Sequence, residues 1–265
     1  MRLFPVPRIA RLARASIGLL AMFAMAGCSG EDDNPVDPGV GTPSTQFTGT
    51  FINGNEGGLM NLTIASATLA PALRAASIGA HDIVANATLS PDVGGTINLT
   101  GTYNEEADSL NLIGGGYTMS GKYSSTGGVG GIVGRYMGLN GSGFFGCALG
   151  GSSAVKVYCG SFENQPQTVS GRWNILIIGD EVVGVAAPSG GNPFGFSGTA
   201  SGTGTTRAIA IFTDSGGGAV VRANGTLDTT TNDVAGTWTF EEDFVVTDTG
   251  TWSGTPCRAG GTGPN

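Results

Sequence analysis

The chain has 265 residues, with 20 acidic residues against 12 basic ones and a formal charge of −8. A surplus of negative charge would repel nucleic-acid phosphates, which excludes that class of partner. Glycine is the compositional outlier at 48 residues. There is no G-X-Y period, which excludes collagen, and apolar residues interleaved throughout exclude a flexible linker.

Taken from the start, Arg2, Arg8, Arg11 and Arg14 precede an apolar run from about Ala15 to Ala24. Small residues then lead to Cys28 in Met25-Ala26-Gly27-Cys28. A cationic segment, an apolar segment and small residues before a cut are the layout of a secretory signal. A Cys directly after Ala-Gly resembles the signal of bacterial lipoproteins. That resemblance implies cleavage before Cys28 and attachment of lipid, palmitate included, to its thiol. Rival readings are an ordinary cleaved signal and an uncleaved anchor, although Ile17–Ala26 falls far short of the ~20 residues that span a bilayer. Two or more acyl chains make anchoring stable where one does not. In that family an Asp after the Cys tends to retain the protein at the inner membrane. Ser29 therefore implies an outer-membrane or cell-surface location. The expected partner is thus the membrane, reached through covalent lipid.

Removing residues 1–27 leaves 238, with eight basic residues against 20 acidic ones, a charge of about −12. Residues 28–45 carry the lipidated Cys and then SGEDDNPVDPGVGTPST, a tether too polar to bury.

From Gln46 a small device recurs: Gly, one residue, then an aromatic. It occurs as Gly49-Thr50-Phe51, Gly101-Thr102-Tyr103, Gly121-Lys122-Tyr123, Gly134-Arg135-Tyr136, Gly160-Ser161-Phe162, Gly171-Arg172-Trp173, Gly236-Thr237-Trp238 and Gly250-Thr251-Trp252. All three tryptophans fall in it. On a strand, period two puts Gly and aromatic on one face. The aromatic then covers a glycine-thinned neighbouring strand. Core packing is the expected role, with an aromatic platform for sugar or lipid as the alternative.

Strands are expected at Leu59–Ile64, Thr96–Tyr103, Ser109–Ile113, Tyr117–Tyr123, Val155–Phe162, Val169–Ile178, Glu181–Ala187, Phe196–Thr203, Arg207–Thr213, Ala219–Leu227, Val234–Phe240 and Thr249–Thr255. Ala70–Ala80 is the one candidate helix, opened by Pro71. Short turns between alternating runs predict antiparallel sequential neighbours. The fold class is therefore all-β: an up-and-down meander, barrel-like or sandwich-like. Glycine-rich stretches at 124–131 and 138–143 suggest two lobes, 46–140 and 144–258.

This layout of lipobox, acidic tether and Gly-Thr-aromatic strands resembles a loosely defined set of exported bacterial lipoproteins. The residues that carry it are Tyr158-Cys159-Gly160-Ser161-Phe162, Ser170-Gly171-Arg172-Trp173-Asn174 and Gly250-Thr251-Trp252-Ser253-Gly254. The resemblance implies an architecture and no activity.

Chemistry-bearing residues are sparse. Cys147, Cys159 and Cys257 remain after Cys28, in a compartment where disulfides persist. A hairpin turning at 150–153 would set Cys147 against Lys156. The expected bridge is Cys159–Cys257, tying the first strong strand of the second lobe to its last, ahead of Cys147–Cys159. His81 is the one histidine. Asp214-Ser215-Gly216-Gly217 has a protease-like look but lacks the flanking residues of that family, and it suits a hairpin turn. The acidic pairs at Glu105-Glu106, Asp180-Glu181 and Glu241-Glu242-Asp243 are sequence neighbours, which on a strand point to opposite faces. Asp228, Asn232 and Asp233 offer oxygens that suit Ca2+, with turn chemistry as the plainer reading. No catalytic residue, metal site or cofactor is expected. The expected function is a non-enzymatic binding or structural module of the envelope. The alternatives are a carrier of a small hydrophobic ligand in a closed barrel, and a carboxylate-dependent hydrolase.

Overall fold

All eight Gly-x-aromatic triplets lie within β-strands of the computed structural model, which describes residues 44–65, 82–124, 130–165, 167–214 and 219–258. Cys28, His81 and the candidate helix Ala70–Ala80 lie outside the described residues.

The first eight strands are β1 (Ser44–Ile52), β2 (Gly57–Ala65), β3 (Asp82–Pro91), β4 (Ile97–Asn104), β5 (Ser109–Gly114), β6 (Tyr117–Ser124), β7 (Gly131–Gly138) and β8 (Gly141–Leu149). Each pairs antiparallel with the next, and β8 returns to β1 through Phe51↔Phe145 and its neighbours, closing a barrel. The next eight are β9 (Val155–Asn164), β10 (Ser170–Ile178), β11 (Glu181–Pro188), β12 (Phe194–Ser201), β13 (Thr206–Asp214), β14 (Ala219–Asp228), β15 (Val234–Glu242) and β16 (Val245–Pro256). They close a second barrel through β16 against β9, with Trp252 opposite Phe162. The fold is therefore all-β and up-and-down, in two closed eight-stranded barrels. Closure leaves no unpaired sheet edge in either barrel.

The boundary between the lobes differs from the sequence expectation. Strand β8, with Phe144, Phe145 and Cys147, completes the first barrel, so the chain passes between barrels at 150–154 and not at 140–144. No hairpin joins Cys147 to Cys159, because the two residues belong to different barrels. The expected bridge is present: Cys159 and Cys257 are disulfide-bonded with Cα atoms 5.0 Å apart. It sits at the β9–β16 seam, where the Cys257 amide also donates to the Val157 carbonyl.

The first barrel is filled. Phe51, Tyr117 and Tyr136 meet inside it with ring centroids 5.6–6.4 Å apart. Met60, Leu62, Leu89, Leu99, Leu110 and Ile132 pack around them, none more than 1% exposed. One end is stoppered by Glu56, whose carboxylate accepts hydrogen bonds from the Tyr117 hydroxyl (2.8 Å) and Asn140 Nδ2 (2.8 Å). Burial, with the Glu56 charge adding to it, pushes the Tyr117 hydroxyl up to about 12. Cys147 is the free cysteine among the described residues; it is buried in this wall, and desolvation pushes its thiol up to about 12.

The barrels meet along β1, β9 and β10. A strand of a lone barrel buries every second residue; β1 is buried continuously from Phe47 to Ile52, and β10 from Trp173 to Ile177. Their inward residues fill their own barrels, and their outward residues face the other. Leu59, Ala148, Val155, Val157 and Leu176 form an apolar cluster in this seam. Asn174 Nδ2 donates to Thr50 Oγ1 at 2.6 Å and to the Phe51 carbonyl at 3.0 Å. Arg172 pairs with Asp92 across the same seam. The apolar run Ile175–Ile178, with no alternation of polar residues, is thus explained by burial on both faces.

Candidate functional site: an aromatic cavity in the second barrel

Register fixes what points into the second barrel. Trp173 stands opposite Gly160, Phe162 opposite Gly171, Trp238 opposite Gly250 and Phe196 opposite Gly184. In each pair the ring occupies the space where a glycine Cβ would stand. The device read from sequence is therefore a set of cross-strand aromatic–glycine contacts, the arrangement that lets a ring cover exposed backbone. Trp173 and Trp252 meet edge to face at 5.3 Å, as do Phe162 and Trp238 at 6.0 Å. Each indole N–H is used: Trp173 donates to the Ser161 carbonyl (2.9 Å), Trp238 to that of Glu163 (3.2 Å) and Trp252 to that of Thr237 (3.2 Å).

One end of the barrel is sealed. Ile177, Val182, Ala200, Ile209, Leu227 and Val234 are buried together there. Arg207 closes over them, its guanidinium donating to the carbonyls of Gly179 (2.8 Å) and Ala200 and to Asp180 Oδ1 (2.8 Å).

Towards the other end the interior is hollow. Rings laid flat over glycines, with Ala186 and Ala223 in the wall, leave a cavity of about 370 Å³. Its wall carries Phe162, Trp173, Phe194, Phe196, Trp238, Phe240 and Trp252, together with aliphatic residues. Phe162, Phe194, Phe196 and Phe240 pack against the core yet are only partly buried, so solvent reaches them through the mouth. The cavity falls within the ~300–1,000 Å³ of small-molecule pockets, and its apolar wall is typical of them.

Thr213 and Asp248 are the polar side chains on the lining. Thr213 Oγ1 donates to the Gly195 carbonyl at 3.0 Å. The Asp248 oxygens accept from Asn164 Nδ2 at 3.0 and 3.1 Å, and Oδ1 also from the Thr249 amide at 2.8 Å. Asn164 is itself 3% exposed; it holds the β9–β10 loop through Thr168 Oγ1 (3.2 Å) and the Val169 amide (2.8 Å).

The other sequence candidates do not converge. Glu105-Glu106, Asp180-Glu181 and Glu241-Glu242-Asp243 lie at three separate turns, and Asp180 and Glu241 pair with Arg207 and Arg222. Asp228 Oδ1 accepts from the amides of Thr230 (2.7 Å) and Thr231 (3.3 Å), and these bonds hold its carboxyl below the ordinary range. That is turn chemistry, with Asn232 in the left-handed region at φ 61°. Among the described residues no group of three or more His, Cys, Asp or Glu side chains is placed to hold a metal. Asp214 ends β13, paired with Val220 of the antiparallel β14, and the rest of the Asp-Ser-Gly-Gly motif lies outside the described residues.

Sequence reasoning placed the three tryptophans inward and missed Asp248, Asn164, Ala186 and Ala223. A signal for Asp248 was present: Asp248, Gly250 and Trp252 alternate along one strand, so an inward Trp252 makes Asp248 inward too. Fold and site together define a two-barrel all-β protein with one filled and one hollow barrel. Compared with known proteins, the chain matches no family model, and neither a curated protein nor a solved structure matches it significantly.

Proposed function

We propose that this chain is a lipid-anchored envelope protein whose second barrel carries a small apolar ligand. The observation that supports it is the contrast between the barrels. Both have eight strands, yet the first is packed with leucines, methionines and three aromatic rings in mutual contact, while the second keeps about 370 Å³ of apolar space. Empty apolar volume of this kind lowers stability through missing contacts. A ligand that fills it restores those contacts. Anchoring at Cys28 would place the barrel at a lipid surface, where apolar ligands partition.

The protein reports on its own cavity, because all three tryptophans line it. Adding the neutral apolar probe N-phenyl-1-naphthylamine should quench tryptophan emission, raise probe emission and saturate at one probe per chain. Ala223→Phe, which projects a ring into the space, should abolish both signals while the unfolding free energy from urea melts drops by no more than roughly 1–3 kcal/mol, the cost of an added side chain. Absence of any signal in the wild type, or unchanged binding in Ala223→Phe, overturns the carrier reading. Palmitate labelling of the wild type and its loss in Cys28→Ala tests the anchor.

A further inference from the structure

We infer that the cavity selects amphiphiles whose polar end is a cation, and rejects those whose polar end is a carboxylate or other anion. This rests on the cavity being a ligand site and concerns which ligands it takes.

Consider what the lining offers a polar head group. Among the described residues, Asp248 is the one charged side chain on the lining, and neither lysine nor arginine lines it. An anion would need hydrogen-bond donors. The three indole N–H groups are committed to backbone carbonyls, and the Thr213 hydroxyl is committed to the Gly195 carbonyl. An anionic head group would therefore lose its hydration, find no donor and face a carboxylate.

A cation meets the opposite situation. Asp248 is half-buried, and its oxygens are fixed by the buried Asn164 amide and the Thr249 N–H. Asn164 supplies two of those contacts and the Thr249 amide one, which leaves carboxylate lone pairs for a ligand. The rings of Trp238 and Phe240 lie on the same lining, and aromatic faces attract ammonium groups. Glu242, which ends β15 two residues after Phe240, and Asp243, in the β15–β16 turn, add negative charge at that end of the strand. The chain as a whole is at −8, a field that concentrates cations and depletes anions.

The experiment displaces N-phenyl-1-naphthylamine from the full chain with three ligands that share one tail: decyltrimethylammonium, decanol and decanoate. The cation should bind at least about tenfold more tightly than decanoate, with decanol between them, since a charge interaction of ~1.4 kcal/mol is a factor of ten. Asp248→Asn keeps the shape and the Thr249 contact but removes the charge. It should bring cation and decanoate to within about threefold while leaving decanol unchanged. Decanoate binding as tightly as the cation in the wild type overturns the inference, as does a cation-to-decanoate ratio that Asp248→Asn does not move. A wild type that binds the probe but shows no charge preference fails here alone. A wild type that binds neither probe nor any of the three tails fails the carrier reading itself.

Discussion

Trp173 lies across Gly160, its antiparallel partner on β9, and reaches on to Gly254 of β16. One indole thus covers two glycines on both strands of the seam that closes the second barrel. A Cβ at Gly160 would overlap the indole and also the Ser253 carbonyl. The ring cannot retreat without losing its bond to the Ser161 carbonyl. Gly160→Ala should therefore destabilise by roughly 1–3 kcal/mol, the usual cost of overpacking. Gly195→Ala is the control: its Cβ would meet only the Gly184 carbonyl, at an ordinary 3.8 Å. Urea midpoints of the two variants separate steric overlap from loss of glycine as such.

The Cys159–Cys257 bridge spans 98 residues and joins the first strand of the second barrel to the end of its last. A loop of that length constrains the unfolded chain by about 4–5 kcal/mol in the entropy treatment. Replacing both cysteines by Ala should lower the urea midpoint accordingly, and reduction of the wild type should reproduce the loss. Cys147 plays no part in this. Its buried, high-pKa thiol should stay unreactive to Ellman's reagent in a folded Cys28→Ser chain and react only after unfolding.

How much of this was legible in the sequence depends on what each strand buries. Strands such as β10 and β15, dense in large apolar residues, announce themselves. Strands β7 and β8 do not, because they carry Gly131, Gly134, Gly138, Gly141, Gly143 and Gly146, which read as a loop and a lobe boundary. Their glycines are strand residues made thin so that rings can lie on them: Phe145 covers Gly134 and Gly121, and Tyr136 covers Gly143. Closure of the second barrel was implied by the expected Cys159–Cys257 bridge, since a bridge between first and last strands needs them adjacent; the sequence carried no such signal for the first. The cavity did not follow. Whether a barrel is filled depends on how inward residues from eight strands sum at each level, and that requires the register. The expected core aromatics and the wall of the cavity are the same residues, a distinction that sequence patterning does not draw.

Phe244 is fully exposed and sits at φ 67°, next to Asp243 at φ 48°, in the two-residue β15–β16 turn. Turns of this kind favour Asn-Gly or Asp-Gly, because both central residues adopt positive φ. A bulky residue there costs on the order of 1 kcal/mol. Phe244→Gly should raise stability by about 0.5–1 kcal/mol, the relief of strain being partly offset by the greater freedom of Gly in the unfolded chain. Phe244 does not line the cavity, so probe affinity should be unchanged. A thermal melt and a probe titration on the same sample check both statements.

Asp92 gives the interface between the barrels a pH dependence whose sign is fixed by its surroundings. Burial raises its carboxyl above the ordinary value, and the Arg172 guanidinium beside it opposes that rise without cancelling it. A group whose pKa is raised on folding binds its proton more tightly in the native state. Its stabilising contribution is present in full below the unfolded carboxylate pKa, and is lost as pH climbs through the folded value. Asp92→Asn, a neutral isostere, supplies the reference. Near pH 3 both proteins carry a neutral side chain at this position, below the ~3.9 of a free Asp, and their urea midpoints should nearly agree. As pH rises through the folded pKa the wild type should lose ground against the variant, then hold a constant offset once Asp92 is fully ionised. If the wild type instead gains on the variant over that interval, the Arg172 ion pair outweighs desolvation. The Asp92–Arg172 pair would then add to the stability of the seam beside the apolar cluster of Leu59, Val157 and Leu176 and the Asn174–Thr50 hydrogen bond.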